Sequence, residues 1–455
     1  MDHMEKLNVC LLNDSFPPEI DGVANAVTNY SSVINGSLGR ACVVTPAHPK
    51  AHDDDFAFPV LRYPSIDLTK QVGYYAGLPF SPDTMSELTG QRFDIIHTHC
   101  PITSTIIARM LRDRIDAPVV FTYHTKFDID IANAIKSRLL REEAAKILVE
   151  NISACDEIWT VSNGAGENLR KLGYQGEYHV MPNGVDFPKG RMPQELIEKA
   201  TGQFDLPGNV PVFLFVGRMM WYKGLKIILD ALRELDSEDR DFRMVFVGGG
   251  TDKDEIIKYT EKLGLSGKVL FVKPVHDRDL IRAWYCRANL FLFPSTFDTN
   301  GLVVREAAAC GLGSVLVKGS CAAEDVEDGV SGFLIEENAG AMAAKLRDVL
   351  ANPDEIKRIG QGAQDKIYIS WEDSVTKAYS RYFDIIDNYK RGAYPPREKI
   401  SDEALSRLSE RLLTYSAAKK KHGEAVAGLR QEYEKLKAEG EELRELIEER
   451  IDRFL

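Results

Sequence analysis

With 455 residues, 44% hydrophobic and 9% aromatic, the chain exceeds what one ordinary core holds, and two globular domains with an appendage are expected. A formal net charge of −12 argues against nucleic acid as the main partner, while leaving room for a local basic patch against an anionic membrane. Seven scattered cysteines without a CxxC pair argue against a zinc site or disulfide framework, and no apolar run is long enough to span a bilayer.

The opening MDHMEKLNVCLL shows no signal-peptide pattern, so a cytoplasmic location is expected. Short apolar β-like runs then alternate with helical patterns, at 8–12, 41–45, 95–99, 119–123, 157–161 and 178–182. A Pro- and Gly-containing interval at 188–210 breaks the series. A second series follows at 212–216, 243–247, 269–272, 290–293, 314–317 and 333–335. This alternation predicts an α/β protein with two doubly wound, Rossmann-like domains facing a cleft, both sheets parallel and covered on each face. The expected division is a first domain over 1–187, a linker over 188–210, a second domain over 211–375 and a crossover helix region over 376–400. A charged helical extension over 401–455 completes the chain.

Ligands of such sheets bind beyond the C-terminal strand ends, and the polar residues of interest fall there. In the first loop, PPEIDGV at 17–23 brings Gly22 to a helix start, where backbone amides can approach a phosphate or sugar. Two strands end in histidine. His97 and His99 share one face, with His97 read as a core residue and His99 nearer the strand mouth. His124 lies at the tip of the next strand, before Thr125 and Lys126, and is expected to face the cleft. Residues 131–149 form an amphipathic pattern with Lys136, Arg138, Arg141 and Lys146. It suits either a helix covering the first sheet or one lying on anionic lipid.

In the second half, Gly217-Arg218 and Lys223-Gly224 place two cations at a strand mouth, where they suit a diphosphate or serve as ordinary surface charges. Gly248 opens a glycine run expected to wall the cleft, and the backbone up to Val275 could read a nucleobase edge. The richest segment is FLFPSTFDTNGLVVREAAACG at 291–311, an apolar strand, a polar loop with Asp298 and Gly301, then a helix bearing Glu306. Free amides and the positive helix end suit a phosphate, and the two carboxylates suit sugar hydroxyls. At the far end, Leu429, Tyr433, Leu436, Leu443 and Ile447 recur at heptad-like spacing around Gly440. That extension either packs on the body or self-associates as a coiled coil.

Taken in order, Gly22, His124, the Pro182-Asn183-Gly184-Val185-Asp186 run, Gly217-Arg218 with Lys223-Gly224, and Asp298-x7-Glu306 resemble the retaining GT-B glycosyltransferases of family 4. The resemblance covers roughly residues 7–390. It implies that Arg218 and Lys223 neutralise the diphosphate of a UDP- or GDP-sugar, without cofactor or metal. Glu306 would bind the ribose and Asp298 the sugar. The backbone of Asn300, Gly301, Leu302 and Val303 would cap the phosphate, with Gly22, Gly217, Gly248, Val275 and Thr299 completing the donor site. His124 would touch the sugar near the reacting carbon, and His99, Lys126 and Asp128 would lie on the acceptor side. Asp128-Ile129-Asp130 has metal-site spacing but falls in the acceptor half.

Two features depart from the family pattern: aspartate at 298 instead of glutamate, and Thr299-Asn300 in place of the usual aromatic. The acid-Thr-x-Gly turn, the Thr-Tyr-His-Thr run at 122–125 and Pro-Pro-x-x-x-Gly-Val at 17–23 are similar to those of bacterial diacylglycerol glucosyltransferases. They imply a lipid acceptor at the inner membrane face. A transferase acting on a soluble or polysaccharide-precursor acceptor, an epimerase on the same scaffold and a non-catalytic sugar-nucleotide-binding scaffold stay open as rivals. A dinucleotide oxidoreductase does not, since no strand leads into a G-x-G-x-x-G turn.

Overall fold

The computed structural model describes residues 6–396 apart from 20, 68, 70–74, 79–80, 129–130, 132–137 and 276. The extension at 401–455, with its heptad-like spacing, lies outside the described residues, as do Ile129 and Asp130.

Strands β1 (Asn8–Leu12), β2 (Arg40–Pro46), β3 (Val60–Tyr63), β6 (Ile95–Thr98), β7 (Val119–Tyr123), β8 (Glu157–Thr160) and β9 (His179–Val180) form one sheet. Its order is β3-β2-β1-β6-β7-β8-β9, with every pairing parallel. Strands β4 (Ser65–Asp67) and β5 (Tyr75–Gly77) make a separate antiparallel pair. The second sheet contains β10 (Val212–Val216), β11 (Arg243–Val247), β12 (Val269–Val272), β13 (Leu290–Phe293), β14 (Ser314–Val317) and β15 (Phe333–Ile335). It is parallel too, in the order β12-β11-β10-β13-β14-β15.

Continuous apolar runs such as VFLFV and LFLF suit strands buried on both faces, and β13 is buried along its whole length. Strand order reverses between β1 and β6 and again between β10 and β13. Loops on either side of such a reversal leave the sheet in opposite directions and open a crevice. The architecture is therefore α/β and doubly wound twice over, as the alternation of runs implied.

The strands unanticipated from sequence are β3, β4 and β5. β3 is an edge strand with only alternate residues buried, and β4 and β5 have three residues each, too short to show a period. The interval at 188–210 contains the helix Gln194–Thr201, which buries Ile197. Phe204, just beyond it, packs its ring on Trp284 at 5.0 Å.

The long helix Trp371–Lys390 encompasses the start of the expected crossover region and belongs to the core of the first sheet. Tyr382 stacks on Trp159 at 5.6 Å and reaches His97 Nδ1 at 2.6 Å; Tyr379 OH accepts from Leu7 N at 2.7 Å. The helix Arg138–Ser153 buries Leu148, Val149 and Ile152 against the same half, leaving Ile147 64% exposed. Among the described residues no helix is long and apolar enough to cross a membrane.

Candidate active site

A cavity of about 390 Å³ opens where the two crevices face each other. Its first wall begins at the loop after β1, where Asp21 caps the helix Gly22–Val33 by accepting from Val23 N (2.8 Å) and Ala24 N (2.7 Å). Gly22 follows as the first helical residue. A Cβ at Gly22 would meet nothing within 4 Å, and the residue has no positive φ, so neither strain nor packing within the chain calls for glycine. Its backbone borders the open space of the cavity.

His124, just beyond β7, lines the same cavity with Thr125, Val161 and Asn183. Its Nε2 lies 2.9 Å from His99 Nδ1, and its Nδ1 lies 3.5 Å from Asn183 Nδ2. His99 sits behind it, 2% exposed, and His97 lies deeper still, bridging Tyr382 OH (2.6 Å) and Thr122 Oγ1 (2.7 Å). Burial lowers all three histidines: His124 to about 3, and His97 and His99 well below the ordinary imidazole range. The cavity floor is thus neutral imidazole that exchanges hydrogen bonds without carrying charge. His97 is the core residue expected from its strand position. His99 touches the cavity only through His124.

The opposite wall is the loop and helix after β13. Gly301 takes a left-handed conformation (φ 60°) to start the helix Leu302–Ala309, and no side chain caps it. The amides of Leu302 and Val303 find no acceptor among the described residues, leaving a helix N-terminus facing the cavity. Asp298, Thr299, Asn300, Gly301, Leu302 and Val303 all line the cavity. Asp298 forms an ion pair with Lys223, and its other oxygen accepts from Ser295 Oγ at 2.5 Å. Lys223 ends the short turn Trp221–Lys223 beyond β10 and is only 8% exposed. Its ammonium lies 5.6 Å from the Phe293 ring centre.

The other expected donor residues lie on the same strand-end edge without lining this cavity. Arg218 is exposed at the mouth of β10, with no ion-pair partner among the described residues. Glu306 turns toward the helix Arg278–Arg287, receiving Arg278 Nη2 at 2.7 Å and Tyr285 OH at 2.9 Å. Gly217 and Gly248 meet each other: Gly217 N donates to Val247 O at 3.1 Å, and a Cβ on Gly248 (φ 147°) would strike the Gly217 carbonyl. The glycine run after β11 therefore answers a backbone crossing, whatever it does for a ligand. Val275 packs against the second core from the loop after β12.

Of the residues expected on the acceptor side, Lys126 crosses the cleft, donating from Nζ to Phe297 O at 3.1 Å. Asp128 is exposed and accepts from Asn168 Nδ2 at 3.1 Å. The sequence reading left out Asp21, Thr125, Val161, Asn183 and Ser295 as site residues, together with Arg278. A cap signal marks Asp21, since aspartate directly precedes a helix start. Nothing local marks Arg278, whose partner Glu306 lies 28 positions away.

The sequence profile described as Glycosyltransferase Family 4 matches residues 20–188, and that described as Glycosyl transferases group 1 matches residues 196–366. The chain belongs to the GT-B glycosyltransferases. Among curated relatives, this glycosyltransferase is 28% identical over 330 residues to a D-inositol 3-phosphate glycosyltransferase of Streptomyces bingchenggensis, covering 69% of this chain and 72% of that protein. It is 21% identical over 389 residues to the alpha-monoglucosyldiacylglycerol synthase of Streptococcus pneumoniae, covering 84% and 86%. Sucrose-phosphate synthase of Thermosynechococcus elongatus shares the fold at TM-score 0.63 and 19% identity, over 84% of this chain and 100% of that one. Anabaena HepE in complex with UDP also aligns at TM-score 0.63 and 19% identity, over 85% and 98%.

Proposed function

We propose that this glycosyltransferase moves a hexose from a nucleotide-diphosphate sugar to an acceptor, retaining the anomeric configuration. The observation that carries the reading is one cavity that joins an uncapped helix N-terminus and the Lys223–Asp298 pair to a neutral His124 and the open backbone at Gly22. The amides of Leu302 and Val303, with Lys223 paired to Asp298 and Arg218 on the same strand-end edge, suit the two phosphates and the charge that grows on them as the glycosidic bond breaks. Asp298 and His124 then suit the sugar between them, and Glu306, held by Arg278 and Tyr285, suits the ribose.

Retention by a covalent intermediate would need a free carboxylate at the sugar. The two carboxylates lining the cavity are engaged, Asp21 with two helix amides and Asp298 with Lys223. The favoured mechanism is attack on the face of the leaving phosphate, which itself takes the acceptor proton, in a cleft closed against water.

UDP-glucose is the favoured donor, supported by the UDP and UDP-glucose complexes of HepE, which share this fold. A diacylglycerol-type acceptor is favoured by the glucolipid synthase relative and by an apolar feature of the first half. Ile102 (48% exposed) and Ile147 (64%) lie on adjoining elements joined through Asn151, whose Nδ2 donates to Pro101 O and Ile102 O. Exposed isoleucines on two adjoining elements suit peripheral contact with a membrane. The test is a mass-spectrometric screen of UDP-glucose and GDP-mannose against diacylglycerol, monoglucosyldiacylglycerol and inositol 3-phosphate. A glucolipid formed from UDP-glucose is expected. Isomerised donor without acceptor would replace transfer with epimerisation, and tight UDP binding without any product would leave only a binding protein.

A further inference from the structure

The loop that carries Asp298 is fastened from both sides of the cleft. On its own half, the Phe297 ring lies 4.4 Å from that of Tyr222, and Asp298 holds Lys223 and Ser295 Oγ. From the other half, Lys126 Nζ donates to Phe297 O at 3.1 Å, and Ser162 Oγ donates to Thr299 O at 2.5 Å. Those two carbonyls belong to the residues on either side of Asp298. A third contact backs them up: both carboxylate oxygens of Glu324 accept from the amides of Asn163 (2.7 Å) and Gly164 (2.5 Å), where the helix Asn163–Lys171 begins. Gly164 fits this approach closely, since a Cβ there would lie 2.8 Å from Glu324 Oε1.

We propose that Lys126 and Ser162 are positioning residues for the donor loop. By fixing the peptide carbonyls that flank Asp298, they set the direction of its carboxylate, so that the loop reaches working geometry only with the two halves drawn together. The direction of a side chain follows its backbone, and these carbonyls belong to the residues on either side of Asp298. Lys126 gives a charge-assisted bond that a neutral donor would not match. Ser162 has a second duty, accepting from Ala165 N at 3.0 Å as the cap of the helix Asn163–Lys171. Both residues follow strands of the first sheet directly, and a rigid sheet therefore sets the position of a loop on the other half.

Hydrogen exchange on the full chain without substrate tests the fastening. Lys126→Met and Ser162→Ala should each speed amide exchange across residues 295–303 by about fivefold or more, and Lys126→Arg should restore protection. Only Ser162→Ala should also loosen the start of the helix Asn163–Lys171, which makes Lys126→Met the cleaner probe. Unchanged exchange at 295–303 in both variants would overturn the proposal. The kinetic arm rests on the glycosyl-transfer reading and uses UDP-glucose with the acceptor identified by the screen. Lys126→Met should lower kcat on the order of tenfold or more while UDP affinity, measured by calorimetry, stays within about twofold. Equal losses in UDP affinity and kcat would overturn the positioning role. The exchange arm needs no donor, so it stands or falls apart from the transfer reading.

Discussion

Lowering the pH from about 7.5 to about 5 should destabilise this protein steeply below pH 6.5, and burial of the histidine group sets the size of the effect. His97, His99 and His124 are 0%, 2% and 7% exposed, and burial holds His124 at about 3 and the other two well below their ordinary range. In the unfolded chain each returns to roughly 6.5. Between that value and the folded ones, the unfolded chain binds up to three more protons than the native protein. Stability is therefore undiminished above pH 6.5 and lost as pH falls toward the folded values. At about pH 5 His124, held at about 3, costs about 2 kcal/mol, and His97 and His99, lowered by the same burial, add to that loss against the ~5–15 kcal/mol that holds a typical protein folded. Urea unfolding followed by circular dichroism across this range should show a flat midpoint above pH 6.5 and a slope approaching three protons below it. His99→Gln, which cannot titrate, should make that slope shallower by about 1.4 kcal/mol per pH unit. A constant unfolding free energy between pH 6.5 and 5, or an unchanged slope in His99→Gln, would refute the reasoning. The turnover profile gives a second check, because a His124 neutral down to about pH 3 contributes no limb near pH 6–7.

Gly22→Ala separates stability from activity. With nothing within 4 Å of the new Cβ, the fold should gain about 0.4–1 kcal/mol, while a methyl at the cavity wall should cut turnover by on the order of tenfold or more; a more stable variant with unchanged kcat would remove Gly22 from the site. Lys223→Ala should lower turnover by on the order of 10²-fold and also lower the melting temperature, because Asp298 keeps only Ser295. Adding Asp298→Asn should restore the melting temperature but not the rate, and recovery of both would discard the donor role of Lys223. Glu306→Ala should also lose on the order of 10²-fold in turnover, read by steady-state kinetics; wild-type rates would sever Glu306 from the reaction. Gly250→Ala places a Cβ 2.7 Å from Met219 N and should destabilise by about 2 kcal/mol or more in thermal unfolding, without which the backbone crossing between the β10 and β11 exits is misread.

Residues whose partners are near in sequence were legible, and those whose partners are distant were not. Central strands stand out as continuous apolar runs because both faces are buried, so β10, β11 and β13 fall where VFLFV, RMVFV and LFLF place them, whereas the alternately buried edge strand β3 does not stand out. The helix start at Gly301 was legible because loop, glycine and helix are adjacent in the chain. The purpose of Gly248 was not, since the atom that forbids a side chain there is the carbonyl of Gly217 on the neighbouring strand exit. Lys126 gave no sign of its partner, a backbone carbonyl 171 residues away on the other half. Its lysine, next to His124 at a strand tip, read as an acceptor contact because side-chain chemistry shows in a sequence and carbonyl geometry does not.

The aspartate at 298 gains meaning from these contacts. A buried ammonium without a partner is costly, so Lys223 would lose its charge or its place if nothing answered it before substrate arrived. Asp298 answers it with one oxygen while the other is tied to Ser295, and Lys126 and Ser162 hold the carbonyls on either side. A glutamate would carry its carboxylate one methylene farther from a backbone so firmly held, and would need another rotamer or a shift of the loop to keep both contacts. On the proposed reading, an arriving diphosphate competes with Asp298 for Lys223, and the carboxylate it displaces is left beside the sugar. Binding of the phosphates and capture of the hexose would then be a single exchange of partners, set up by the short acid on the fastened loop.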